Sequence, residues 1–401
     1  MIGKLVQATS RKLIQLAPGS LIDAAQKATR LNDFGGEEFI APLRVLCAAY
    51  NQEANLSVIG RIAAKQDTLR LLRNRLTITD YRTRHPDIAE QQVRRPIFIV
   101  GLPRTGTTAL HNLMAQDPDN RVPMAWEVMF PSPPPERAGH DNDPRIVKAD
   151  KQMAWLDRLA PDFKTVHPVS ATLPQECIAI TAHSFLSVQF PTMYHVPTYQ
   201  AWLDRQDHAP AYEFHKRFLQ HLQWRCPADR WVLKAPGHLF SFDALFETYP
   251  DAVVVQTHRE PLDVMASLAS LIATLHGAFS HNVNPRAFGP ELTERWAGAL
   301  TGAIETRARL EKAGKRFLDV QYSDFVRDPI HAVRDLYARL DIPLTDDAET
   351  RMVEFQNANP KDKHGRHQYT LEQFGLDRGQ ENSRFHAYRE RFGLLSATTR
   401  Q

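Results

Sequence analysis

Cysteine is scarce in this chain. There are three among 401 residues, Cys47, Cys177 and Cys226, far apart and without a CxxC pair. That spacing excludes a cysteine zinc site and a disulfide framework, and it predicts buried thiols in a reducing compartment. Charge of one sign is lacking too: 49 basic residues stand against 46 acidic ones, a formal +3. So weak an excess excludes a nucleic-acid-coating surface or an acidic tail. The first nineteen residues hold Lys4, Arg11 and Lys12 among short apolar runs, with no continuous apolar stretch of the kind a secretory leader needs. No run reaches the roughly 18 apolar residues of a membrane span. The expectation is a soluble cytoplasmic protein. Seventeen histidines are present, but none in HExxH or similar ligand spacing. Internal repeats and long low-complexity runs are absent as well.

What is present is a change of character near residue 95. Residues 1–95 read as a helical region, with apolar residues at helix-like spacing over Phe39–Tyr50 and Leu56–Leu76. Pro96–Val100 (PIFIV) then reads as a strand buried on both faces. Further buried strands are predicted at 231–233, 252–257 and 316–321, and another strand at Val122–Ala125. Helices are predicted over 107–116, 238–248, 261–275, 291–313 and 328–340. Strands alternating with helices argue for a mainly parallel sheet covered on both faces. Phe130–Pro135 (FPSPPP) is a proline-rich loop. Residues 144–225 read as a helical insertion into the 96–401 domain. They are rich in aromatics (Trp155, Phe185, Phe190, Tyr194, Tyr199, Trp202, Trp224) and suit the acceptor side of an active site.

The most informative stretch is Gly101-Leu-Pro-Arg-Thr-Gly-Thr-Thr108, between strand and helix. Its G-x-x-x-x-G spacing is that of a phosphate-binding P-loop, but Thr107 stands where nucleotide triphosphatases carry lysine. The cradle survives the change. Backbone N–H groups of the loop and the first helical turn converge on an anion. Gly106 permits close approach, and the hydroxyls of Thr105, Thr107 and Thr108 line the run. Arg104 supplies the cationic fork. The run Gln256-Thr257-His258-Arg259 ends its strand without the aspartate a magnesium site would use. The pattern implies a cationic, metal-free anion site on a three-layer α/β/α P-loop fold.

A second anion element follows the 252–257 strand. Arg259 lies at its C-terminal end, where open α/β sheets bind ligands, and Pro261 suits the first helical position. Ser267 is eight residues on, roughly 12 Å along a helix axis. The two can share one phosphate only if the arginine reaches forward.

Residues 96 to about 375 resemble the P-loop sulfotransferases that use 3′-phosphoadenosine 5′-phosphosulfate (PAPS), in particular the larger bacterial and polyketide-associated branch. GLPRTGTTAL resembles that family's 5′-phosphosulfate loop, and THREPLDVMAS its 3′-phosphate motif, with Arg259 and Ser267 at the family's spacing. Tyr322-Ser-Asp324 resembles the segment whose tyrosine lies near the adenine. Lys363-His364-Gly365 resembles a late contact to the 3′-phosphate. Lys234, in LKAPGH, stands where tyrosylprotein-type members carry a lysine beside the leaving phosphosulfate. The resemblance implies sulfuryl transfer from PAPS to an acceptor hydroxyl, and the aromatic insertion suggests an apolar or aromatic, carrier-bound or lipid-like alcohol over a polyanionic glycan. The resemblance assigns Arg104 and Lys234 to charge stabilisation at the bridging oxygen and sulfuryl group.

An acceptor hydroxyl needs a general base. Glu127 is the first candidate, 23 residues past Arg104 (127 − 104), as in tyrosylprotein-type members. Glu176, in LPQEC at a predicted helix start, is the second. No histidine falls where the animal cytosolic enzymes carry theirs; His167, His183 and His195 are weaker substitutes. A P-loop kinase-like enzyme remains the alternative. It would demand magnesium-dependent ATP binding.

Overall fold

Pro96 ends a polar approach, and the five apolar residues after it form β1 (Ile97–Gly101), buried throughout. The chain is seen in a computed structural model that describes residues 14–159, 170–227, 229–281, 283–360 and 370–395. Four more strands follow: β2 (Asn120–Arg121), β3 (Arg230–Lys234), β4 (Val253–His258) and β5 (Arg316–Gln321). All pairings are parallel and the order is β2-β3-β1-β4-β5. β1, β3 and β4 are near-continuous apolar runs because both of their faces are covered. β5 is an edge strand and carries Arg316, Asp319 and Gln321.

On one face Phe98 meets Tyr249 and His238 at ring separations of 5.3 and 5.0 Å, and Phe317 meets Phe242 and Phe246 at 5.3 and 5.4 Å. The helices Thr107–Met114 and Pro329–Leu340 also pack on the sheet. The result is an α/β fold with a parallel sheet flanked by helices. After β1 the chain moves first to the β3 side and later to the β4 side. That reversal of strand order is a topological switch point, and open α/β sheets bind ligands at the strand C-termini there.

Contacts divide the chain into two compact units. The sheet unit comprises Val93–Val122, Ala228–Leu271 and Asn284–Gln401; the other comprises Met1–Gln92, Pro123–Pro227 and Ile272–Val283. The second unit is helical. Its longest helix, Val58–Arg84, starts where the Ser57 hydroxyl accepts the Gly60 N–H at 3.0 Å. Phe185, Phe190, Tyr194 and Tyr199 of the aromatic stretch are buried in this unit's core. They pack on one another and on Tyr50, with ring separations of 5.0 to 6.0 Å. Core packing therefore accounts for their burial.

Some expectations shift. The strand expected at Val122–Ala125 is absent; β2 ends at Arg121, because Pro123 offers no N–H to a ladder, and a short helix begins at Ala125. The helix expected from 291 starts at Pro285, where the Asn284 side chain accepts the Arg286 N–H, and it runs through Pro290. The helix Pro261–Phe279 is long and apolar enough to cross a membrane, against the expectation that no segment is. Most of that helix is buried within the protein, however.

Candidate active site

The Gly101–Thr108 loop is shaped by two glycines. Gly101 has φ 151°. A Cβ there would lie 2.3 Å from the Thr257 hydroxyl and 2.7 Å from the Thr257 carbonyl oxygen, so only glycine lets β1 leave the sheet beside β4. Gly106, with φ 88°, precedes the helix Thr107–Met114. The Thr105 hydroxyl donates to the Leu102 carbonyl at 2.6 Å and meets the Thr257 hydroxyl at 2.6 Å. This buried latch fixes the loop to the tip of β4. Thr257 lay within the motif read from the sequence but carried no assigned role there; its partner is 152 residues away along the chain.

Arg104 sits in the left-handed region at φ 67°, a backbone state uncommon for a residue with a side chain. That turn aims its parts in two useful directions. Its Nε donates to the Ser267 hydroxyl at 3.2 Å, and its carbonyl accepts Arg259 Nη1 at 2.8 Å. The Arg259 guanidinium also lies 4.4 Å over the Tyr322 ring. Arg104, Arg259, Ser267 and Tyr322, the first and last 218 positions apart (322 − 104), thus form one connected cationic group. The long reach asked of Arg259 toward Ser267 is bridged instead by Arg104. The Arg104 side chain, expected at the sulfuryl group, stands beside Ser267.

Lys234 closes the other flank. β3 pairs with β1 so that Lys234 lies opposite Ile99, two residues before the loop. The lysine is 1% exposed, and its Nζ donates to the Thr108 hydroxyl at 3.2 Å. Thr107 is buried in the first turn beside it. Three cationic side chains, Arg104, Arg259 and Lys234, and a helix N-terminus thus lie at the ends of neighbouring strands. Such an arrangement holds a polyanion and steadies negative charge that develops during transfer.

The sulfotransferase family model matches residues 96–347, more than half of the chain. The chain belongs to the sulfotransferase family. This sulfotransferase is 33% identical to the sulfotransferase STF1 of Mycobacterium tuberculosis H37Rv; the match covers 92% of this chain and 98% of that one, with a TM-score of 0.81. It is 26% identical to the sulfotransferase STF9 of Mycobacterium avium, over 93% and 96% of the two chains, with a TM-score of 0.82. It is also 25% identical to the omega-hydroxy-beta-dihydromenaquinone-9 sulfotransferase Stf3 of Mycobacterium bovis, over 293 residues that cover 69% of this chain and 71% of that protein.

Both base candidates of the sulfotransferase lie in its helical unit. Glu127 is fully buried in the first turn of the helix Ala125–Met129. One carboxylate oxygen accepts the Met124 N–H at 2.9 Å; the other meets His140 Nε2 at 3.1 Å. The His140 ring lies tilted against the Trp126 ring, with centroids 5.3 Å apart. The sequence reading missed His140, and no motif marks it: a 3₁₀ turn over Arg137–Asn142 brings it back to the carboxylate. Glu176 is half-buried at the N-cap of the helix Cys177–Thr181, without a side-chain cap bond.

His183 is an unsuitable base. It is buried, it contacts Asn74 Nδ2 at 3.1 Å and the Ile180 carbonyl at 3.0 Å, and burial pushes its pKa down to about 3. His195 is exposed, beside His276. Lys363, His364, Gly365 and His167 lie outside the described residues.

Proposed function

We propose that this sulfotransferase takes its sulfuryl group from PAPS and passes it to the hydroxyl of an apolar, lipid-like acceptor. One observation carries the reading: Arg259 and Arg104 are joined by a 2.8 Å hydrogen bond at the tips of the adjacent strands β1 and β4. A single bisphosphorylated nucleoside has negative charge at both ends, and this linked pair, with Ser267 and the loop, offers donors to both. In this reading the loop amides, Thr107, Thr108 and Lys234 hold the 5′-phosphosulfate, while Arg259 and Ser267 hold the 3′-phosphate. Tyr322 lines the nucleoside side. In the reaction the S–O bond to the 5′-phosphate breaks as the bond to the acceptor oxygen forms. Adenosine 3′,5′-bisphosphate leaves, with its new charge held by Lys234, and the acceptor proton passes to the base. Sulfuryl transfer moves a less charged group than γ-phosphoryl transfer does, so fixed cations and amides suffice to steady it. The Mycobacterium bovis relative, whose name specifies a hydroxylated menaquinone, supports an apolar alcohol as acceptor.

Adenosine 3′,5′-bisphosphate added without magnesium is expected to raise the thermal unfolding midpoint by several degrees. A ligand at 100 times its Kd adds about 2.7 kcal/mol to stability. No shift at millimolar ligand, or a shift with ATP and magnesium in its place, would overturn the reading in favour of the kinase-like alternative.

We assign the base to Glu127, supported by its burial and by the His140 contact, which offers the accepted proton a way out. Glu127→Gln keeps an acceptor for the Met124 N–H and so preserves the helix start. Turnover is expected to fall by about 10²- to 10⁴-fold, with nucleotide binding unchanged. Unaltered turnover would move the assignment to Glu176.

A further inference from the structure

The residues on either side of Arg259 are both gripped by one turn of chain near the C-terminus, the helix His386–Arg391 and Phe392 after it. His258, fully buried at the end of β4, meets the Tyr388 hydroxyl at Nδ1 (2.8 Å) and Asp319 at Nε2 (2.7 Å). Its ring stacks on Phe392 with centroids 3.9 Å apart and planes 20° from parallel. Asp319 takes two hydrogen bonds from Arg307, at 2.5 and 2.8 Å, so it is an ionised acceptor. The histidine proton therefore sits on Nε2, and Nδ1 accepts from Tyr388. Arg307 bonds Gln256 of β4 as well, at 2.9 Å.

On the other side, Glu260 is held by Arg389. Nε reaches both carboxylate oxygens, at 3.1 and 3.0 Å, and Nη2 reaches one at 2.6 Å. Arg389 is 3% exposed and is itself fixed by the Asn382 carbonyl at 2.6 Å. The turn is tied back to the sheet edge, where Gln321 Nε2 donates to the Phe392 carbonyl at 3.0 Å.

We propose that Tyr388, Arg389 and Phe392 are positioning residues for donor binding, acting through His258 and Glu260 to hold the backbone of Arg259 where its guanidinium meets the 3′-phosphate. The inference rests on the function proposed above. Among the described residues the Arg259 side chain is anchored at Arg104 and Tyr322, and the clamp holds its main chain from outside the strand. Rotation of the β4–helix junction would carry the guanidinium away from its partner at Arg104. A preorganised arginine binds an anion without first paying to order its backbone. Losing the clamp therefore weakens the nucleotide and leaves the chemical step alone.

The test compares wild-type protein with Tyr388→Phe, Arg389→Ala and Arg389→Lys. It reads adenosine 3′,5′-bisphosphate affinity by calorimetry, and the donor KM and kcat by sulfate transfer. Tyr388→Phe keeps the ring packing and removes only the hydroxyl. It is expected to weaken binding about threefold to tenfold, and Arg389→Ala at least about tenfold, as loss of a charged, buried hydrogen bond implies. In both, the donor KM should rise and kcat stay within about threefold, with Arg389→Lys falling between Arg389→Ala and wild type. Unchanged affinity in folded Tyr388→Phe and Arg389→Lys protein would overturn the clamp, as would a fall in kcat at constant KM. If wild-type protein itself fails to bind the nucleotide, the fault lies instead in the proposed function.

Discussion

Lys234→Met is expected to lower turnover by about 10²- to 10³-fold while changing nucleotide affinity far less. The physical basis is differential. In the proposed reaction the ground-state phosphosulfate already finds the loop amides and the helix terminus. Charge develops on the bridging oxygen only as the S–O bond breaks, and a side chain 1% exposed and tied to Thr108 at 3.2 Å stands ready there. A donor fixed in advance and aimed at developing charge is worth about 2.7–4 kcal/mol in comparable sites. Methionine keeps the aliphatic stem, so β3 should stay packed against β1. Single-turnover sulfate transfer at saturating donor measures the effect. A loss below threefold would mean that Lys234 is a structural cation. The pairing of β3 with β1 sets Lys234 opposite Ile99 and thus beside the loop.

Stability is expected to collapse on mild acidification, well before most carboxylates titrate. Four buried histidines of the helical unit have depressed pKa values. Burial brings His183, His215 and His221 down to about 3 and His276 to about 4, from an ordinary value of 6.5. In the unfolded chain each takes a proton as pH falls through 6.5, while in the folded chain it does not. The unfolded state binds more protons, so stability drops as pH drops. The contribution is fully present above pH 6.5. Each histidine then removes about 1.4 kcal/mol per pH unit between 6.5 and its folded pKa.

Asp319 behaves differently in window. Burial pushes its carboxyl up, but bonds from His258 and Arg307 outweigh that and hold it well below the usual range. Its contribution is intact above its ordinary value of 3.8 and is lost only in stronger acid. Chemical denaturation at pH 7.5, 6.0 and 5.0 checks the forecast. A flat midpoint across that range would show that these histidines are protonated in the folded protein.

The Gly101–Thr108 loop was legible in the sequence because its conformation is local. A short apolar run, two glycines at fixed spacing and a threonine pair specify a strand, a turn that only glycine can make and a helix N-terminus. None of that needs distant partners. The base was less legible. Glu127 was placed after a strand that does not exist, since Pro123 stops the ladder and the carboxylate instead closes the first turn of a helix. His140 carries no pattern that could have flagged it, because its link to Glu127 is made by a 3₁₀ turn.

By itself the sequence determined a parallel α/β sheet, the glycine–threonine loop after β1 and the strand-to-helix junction that carries Arg259, since each is written in neighbouring residues through backbone conformation and strand periodicity. Tertiary structure alone decided that Arg104 joins Ser267 to Arg259, that Thr257 latches the loop, and that Tyr388 and Arg389 brace the junction around Arg259. Those contacts link residues 129 to 163 positions apart. Strand order and side-chain packing set such distances, and one-dimensional spacing does not encode them.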